Sequence, residues 1–395
     1  MNYILFDDSS WGNLLPLTFT RPVAEIRIGI LKISEKWEKR LNGNVSFLTQ
    51  DYLSCKFPLV SMADNLLING SVLPVPKLIQ EIHSLQTGQM LKRDNVIMAA
   101  RCDAGQLEDF KVGNINKFEN KNTSVTFTKI EYPWDIFSFN GLALNEDFQF
   151  LTDGLVSASI SNTNKVAGTE NIFIEEGANI AFSILNAKTG PIYVGKDAEI
   201  MEGCMVRGPL ALCEHATLKM GTKVYGPTTI GPHSKVGGEI SNSVIFGFSN
   251  KAHDGFLGNS VLGEWCNLGA DTNNSNLKNN YAEIRMWNDP QERFISTRLQ
   301  FCGLVMGDHS KTGINTMFNT GTIVGVCANI FGAGFPRNFI PSFSWGGAED
   351  LTVYLLNKAY EVAELVMKRR NIAIKECDKQ ILKTIFDKTE KYRNF

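Results

Sequence analysis

The sequence lacks a charge excess of either sign: 39 basic residues face 41 acidic ones, for a formal net charge of −2. A non-specific nucleic-acid binder needs a basic stripe that releases phosphate counterions, so a nucleic-acid partner is not expected. No stretch approaches eighteen uninterrupted apolar residues, and the opening MNYILFDDSSWGN has no basic segment followed by an apolar run and a small-residue cleavage site. Neither a membrane partner nor an export signal is expected. The eight cysteines form no CxxC pair, in a chain too long to need disulfide staples. Reduced thiols in a cytoplasmic protein are the expectation. Glycine is missing from residues 348–395, and only nine of the 34 lie in residues 1–164; the other 25 fall between 165 and 347. With 395 residues at 43% hydrophobic, disorder is excluded, and the glycine distribution implies three different backbones.

The first segment alternates short apolar runs with amphipathic ones. Tyr3 to Phe6, Asn44 to Leu48, Leu66 to Ile68 and Asn95 to Ala100 read as strands, and Ile28 to Leu41 and Pro76 to Leu85 as helices. That alternation predicts a Rossmann-like α/β layer with a largely parallel sheet over residues 1–160.

From about residue 165 the period changes. Val194, Ile200, Val206, Leu212, Leu218, Val224, Ile230 and Val236 recur every six residues, with mostly small residues two positions before each. Neither a period of 2 nor one of 3.6 accounts for this. A triangular coil does: each short strand turns one aliphatic side chain inward, and Gly or Asn supplies the corner. The phase slips near Asn242, and the stretch Leu277 to Cys302 breaks the repeat as the longest insertion. The coils are expected to run over 165–346, with Phe331 to Gly347 as their exit. A helical extension over 347–395, carrying Leu351, Tyr354, Leu355, Lys358, Ala359, Val362, Leu365 and Val366 on one face, would cap them. His215 and His233 stand eighteen residues apart, one coil above the other, and are expected to form an exposed corner ladder without zinc.

An unbroken six-residue repeat of this kind resembles the left-handed parallel β-helix of the hexapeptide acyltransferases. Within it, KAHDGFLGNSVLGEWCNLGADTNNSN (251–276) resembles the acetyltransferase site of the GlmU-like family, whose members acetylate glucosamine 1-phosphate and then uridylylate it. The resemblance places His253 as general base, the Ala270 amide as oxyanion donor, and Asn267 and Asn276 on the sugar and the tetrahedral intermediate. Phe256 stands where the family has tyrosine. Lys223 matches one of two basic residues that clamp the sugar phosphate; the other register holds Ser241 or Asn242, leaving Arg207, Arg285, Arg293 or Arg298 as substitutes.

Residues 13–31, NLLPLTFTRPVAEIRIGIL, are similar to the RxxPLTxxRP element of sugar-1-phosphate nucleotidylyltransferases. In place of the family's glycine-rich GxGTR loop the chain has DDSSWGN, with Gly12 alone, and Val23 and Ser71 replace an expected lysine and aspartate. The resemblance implies nucleotide phosphates on Arg21 and Arg27 and Mg²⁺ on Asp7 or Asp8.

Together these readings predict an α/β nucleotidylyltransferase-like domain, a left-handed β-helix acyltransferase domain and C-terminal helices. They imply acetyl-CoA, an amino-sugar 1-phosphate and UTP or dTTP as substrates, and a homotrimer. The alternatives are a catalytically inactive regulatory or nucleotide-sugar-binding subunit, and an acyltransferase acting on another nucleotide sugar.

Overall fold

A computed structural model describes all 395 residues. The chain forms two compact units: Met1–Leu14 with Thr20–Ile26 and Leu31–Glu131, and Leu15–Phe19 with Arg27–Ile30 and Tyr132–Phe395. The helix Pro133–Thr152, expected in the first domain, groups with the second unit.

The first unit is built on six strands: β1 (Asn2–Phe6), β2 (Val45–Leu48), β3 (Asn65–Asn69), β4 (Gln89–Arg93), β5 (Val96–Cys102) and β6 (Glu119–Asn122). Their order is β2-β1-β3-β5-β4-β6. Every residue of β3 is buried, as a strand covered on both faces requires. From the helix Ile33–Leu41, Trp37 is fully buried and its indole N–H donates to the Val72 carbonyl at 2.9 Å. The sheet is mixed, which corrects the largely parallel one expected. β5 runs antiparallel to both β3 and β4. A parallel pair needs a crossover of a dozen residues or more, whereas only Asp94 and Asn95 separate β4 from β5, with Asp94 at φ 53° to make the turn.

The second unit is a parallel β-helix with three faces, in sheets of nine, six and five strands. Ile192 pairs with Leu210 and Leu210 with Thr228, eighteen residues per coil, as the sixfold period predicts. Val194, Ile200, Val206, Leu212, Leu218, Val224, Ile230 and Val236 all lie in one continuous core. The slip near Asn242 has its origin one corner earlier. Four residues separate the strand Lys251 ends from the one Phe256 begins, Ala252 to Gly255, but Gly237 and Gly238 alone make the corresponding corner below. The insertion folds as an antiparallel hairpin of Arg285–Asn288 with Arg293–Ser296. After the last coil the chain makes one more strand, Leu351–Val353, antiparallel to Ser344–Gly346, before the helices Leu356–Lys368 and Glu376–Lys388. The expected helix therefore begins later: Leu351 covers a sheet edge that would otherwise present unpaired N–H and C=O groups. No helix is long and apolar enough to cross a membrane. Six of the eight cysteines are free and buried, matching the expectation of reduced thiols at those positions.

One inward position departs from the aliphatic rule. Ile180, Ile200, Leu218 and Val236 form a row in register, and the next member is Lys251, 1% exposed. Burial pushes its ammonium down to about 8, against the pull of Asp254 and Asp271. Its Nζ donates to the carbonyls of His253 and Asp254. A buried ammonium unable to reach water is tolerated only when such acceptors replace the solvent.

Two outcomes follow. A Cβ on Gly231 would lie 1.8 Å from the Phe246 carbonyl oxygen in the next coil. Gly231→Ala should therefore cost about 3 kcal/mol in urea denaturation, and an unchanged midpoint would contradict the coil spacing. For Lys251, the unfolded side chain keeps its proton up to 10.5 while the folded one loses it near 8. The charged form is thus penalised in the folded chain in full below pH 8, and the penalty fades between those two values. Across that window wild type should gain up to about 3 kcal/mol of stability relative to Lys251→Met; parallel pH curves would show the ammonium is not desolvated.

Candidate active site

His253 occupies the corner that Lys251 holds by its two carbonyls. The imidazole is exposed and makes no hydrogen bond within the chain. Beneath it, the shortened Gly237-Gly238 corner leaves a recess. A Cβ on Gly237 would meet the Ala252 carbonyl oxygen at 2.5 Å, and one on Gly238, at φ 76°, the Gly255 carbonyl oxygen at 2.6 Å, so the His253 turn rests on bare backbone. That recess has a volume of about 500 Å³ and is lined by His253, Asp254, Ala270, Asp271, Lys219 and Met220 among others.

On its other side His253 borders a groove of about 680 Å³. Asn267 and Ala270 line it with His253, so the structure brings these three predicted residues together. The backbone there is informative. Asn267 N–H donates to Ser310, Leu268 to Asn250, Gly269 to the Thr312 hydroxyl and Asp271 to Asp254. The amide of Ala270 alone donates to nothing in the chain. An N–H left unspent in a partly buried turn is a donor kept for a ligand.

Charge in the groove is of one sign. Lys235, Lys311, Arg369 and Arg370 line it and no acidic side chain does. Arg369 and Arg370 follow the helix Leu356–Lys368, and Arg370 is fixed by donating to the His233 carbonyl at 3.1 Å. Phe248 and Trp265 form part of one wall. They belong to a corner ladder in which His215, His233, Phe248, Trp265 and His309 stack in sequence, with ring centroids 4.8, 4.9, 4.4 and 6.2 Å apart. The stacking of His215 on His233 is as expected; its extension through Phe248 and Trp265 was not visible in the repeat, because the slip moves them out of eighteen-residue spacing. All five have φ between 54° and 62°, a left-handed conformation uncommon for such side chains. Ring stacking along the corner offsets part of that cost. Burial, and then the charge of His215, hold His233 below the ordinary imidazole value.

Other predicted residues lie outside this groove. Asn276 donates to Asn259 Oδ1 at 2.8 Å, and the Phe256 N–H donates to Asn273 Oδ1 at 2.7 Å. The two meet over Gly258, where a Cβ would fall 2.4 Å from the Phe256 ring and 2.8 Å from the Asn276 amide nitrogen. Lys223 is exposed and shares a row with Glu239 and then Phe256, so an acidic residue stands between it and the ring. In the insertion, Arg285 donates to the Phe294 carbonyl and Arg293 to Gln291, contacts internal to the hairpin.

In the first unit Asp7 and Asp8 follow β1. Burial pushes Asp7 up to about 7, although it accepts from the Thr49 hydroxyl and the Val23 N–H. Burial also raises Asp8, but the Lys129 charge and hydrogen bonds from Ser10 and Asn69 outweigh it and hold that carboxyl below its usual value. Lys129 Nζ lies 3.3 Å from Asp8 Oδ2 and donates to the Ser10 hydroxyl at 2.8 Å. The pair does not fit the Mg²⁺ expected there: both oxygens of Asp8 are taken by Ser10, Asn69 and Lys129, and the Lys129 ammonium 3.3 Å from Asp8 Oδ2 repels a second cation at that position. Arg21 is 4% exposed within this unit. Arg27 groups with the second unit, where its guanidinium donates to the carbonyls of Phe246 and Ile30. A lone inward lysine in the hexad row was the one sequence signal for Lys251; nothing in the sequence marked Lys129 or the tail arginines.

A family profile described as sugar nucleotidyl transferase matches residues 3–156. The bifunctional protein GlmU of Methanococcus maripaludis (strain C5) is 26% identical over 248 residues, 62% of this chain and 53% of that protein. A bifunctional sugar-1-phosphate nucleotidylyltransferase/acetyltransferase of Sulfurisphaera tokodaii is 30% identical over 175 residues, 44% of this chain and 43% of its own. The chain thus spans about half the length of the curated relatives it matches. Among solved structures, a UDP-N-acetylglucosamine acyltransferase of Francisella novicida aligns at 11% identity with a TM-score of 0.30, over 56% of this chain and 90% of that one. The sugar nucleotidyl transferase match over residues 3–156 is followed by the β-helix, and the chain is similar to GlmU-like proteins over part of their length.

Proposed function

We propose that the β-helix transfers an acetyl group from acetyl-CoA to the amine of an amino-sugar 1-phosphate, glucosamine 1-phosphate in the first instance. The observation that carries this is the juxtaposition of an exposed His253 with the unspent Ala270 amide on one basic groove. An amine at neutral pH is mostly ammonium and first loses one proton to solvent; its nitrogen lone pair then attacks the thioester carbonyl carbon while His253 takes a second proton from that nitrogen. The carbonyl oxygen becomes an oxyanion that accepts from the Ala270 N–H. As the C–N bond is kept the C–S bond breaks, and the departing thiolate receives the proton from His253. Lys235, Lys311, Arg369 and Arg370 suit the phosphates of coenzyme A. With no hydrogen bond in its own chain to orient the ring, His253 is served by a substrate or a neighbouring copy, which fits a homotrimer. The first unit is assigned to nucleotidylyl transfer from UTP or dTTP to the same sugar 1-phosphate, in the cytoplasm.

Two other readings each rest on an observation. Phe256 in place of a hydroxyl-bearing ring favours an acyltransferase acting on a different nucleotide sugar. The Asp8–Lys129 ion pair and Ser71 favour a first unit that binds a nucleotide sugar without transferring it.

Acetyl-CoA turnover with glucosamine 1-phosphate separates these. His253→Ala should lower kcat about 10²- to 10⁴-fold, and an unchanged rate removes the base assignment. Ala270→Pro deletes one N–H and should lower kcat about 10²- to 10³-fold with little change in KM, provided circular dichroism matches wild type; a KM effect alone would make Ala270 a binding residue.

A further inference from the structure

In open α/β sheets a ligand sits in the crevice outside the carboxyl ends of two adjacent strands whose onward connections run to opposite sides. β1 and β3 are such a pair: β1 leads to β2 on one edge, and β3 leads to β4 and β5 on the other. Phe6 and Asn69 end the two strands in register, so Asp8 and Ser71 stand together at that mouth. A phosphate-bearing ligand needs a positive charge there, and the Lys129 ammonium beside Asp8 stands against a divalent cation in the same place.

The charge is already present. The Leu73 N–H donates to the Thr128 carbonyl at 2.9 Å and the Ile130 N–H to the Ser71 carbonyl at 2.8 Å, clamping Lys129 by its backbone beside the end of β3. Its ammonium meets Asp8 and the Ser10 hydroxyl, while Asn69 donates to Asp8 Oδ2 at 3.0 Å and is braced in turn by Ser71, whose N–H and hydroxyl donate to Asn69 Oδ1. An ammonium has three donors, and these two partners leave one N–H. The side chains of Lys129 and Asp8 keep 13% and 22% of their surface, so the pair is not sealed from solvent.

We infer that the first unit is a metal-independent nucleotide-phosphate site in which the Lys129 ammonium takes the place of a divalent cation. This rests on the reading that the unit binds a nucleotide, and goes beyond it by naming the group that holds the phosphate. Asp8 is then a holder of the lysine, and Ser71, in place of an aspartate, avoids a second negative charge beside it.

The test is calorimetric titration of the full chain with UTP, and separately with dTTP, in Mg²⁺ and in EDTA. At least one nucleotide should bind with dissociation constants in the two buffers that agree within about threefold. Lys129→Ala should weaken binding at least tenfold in both, and Lys129→Arg, which keeps the charge, should recover most of it. The EDTA comparison uses wild type alone, so it stands even if the alanine variant folds poorly. Binding that Mg²⁺ tightens tenfold or more overturns the lysine assignment while leaving the nucleotide reading intact. Silence with both nucleotides in both buffers overturns the nucleotide reading and the assignment with it.

Discussion

Parallel coils hydrogen-bonded at an eighteen-residue interval set almost everything else in the second unit. Because Ile192 pairs with Leu210 and Leu210 with Thr228, a side chain that points inward in one coil points inward in the next, and the core becomes a set of rows. Corners then fall above corners. That stacking permits the run of left-handed residues from His215 to His309, whose rings lie on one another. It also means that shortening a single corner is felt in the coil above: Gly237 and Gly238 drop the backbone beneath Ala252 to Gly255 and open the recess under His253.

The candidate site uses what that lattice leaves over. A regular coil pairs nearly every N–H with a neighbouring carbonyl, and an unpaired donor appears where the regularity lapses. Ala270 is such a lapse, on the turn above the irregular His253 corner. Lys251 is another, a charge placed in an aliphatic row where its ammonium ties the carbonyls of the turn it supports. The same row that excludes water makes those two hydrogen bonds worth more than they would be at the surface. The tail contributes in turn, since Arg370 is positioned through the His233 carbonyl and completes a groove wall of one charge.

The first unit solves a charge problem by the opposite means. Its strand ends converge where phosphates are usually met by a metal, yet the carboxylates there are consumed by Lys129, Ser10, Asn69, Thr49 and Val23. An acidic pair surrounded by that many donors is part of the protein's own network, and the network carries a cation of its own.

Much was legible along the chain because the physics involved is periodic or local. Eight aliphatic residues at sixfold spacing predicted the β-helix and its core, and the spacing of His215 and His233 predicted their contact, since both depend only on how many residues make a coil. Fold class, the extent of the repeat and the placement of His253 on a corner were determined by sequence in this sense. What tertiary structure decided were matters of accounting between distant segments: which amide finds no carbonyl, which arginine is held by a carbonyl far along the chain, as Arg27 is by Phe246, and which lysine reaches a carboxylate across the sheet end, as Lys129 does. Asn276 and Phe256 were matched by motif, but their meeting over Gly258 depends on the close approach of two coils there. Periodicity tells each residue which way it faces; only the folded chain tells it which partner is already taken.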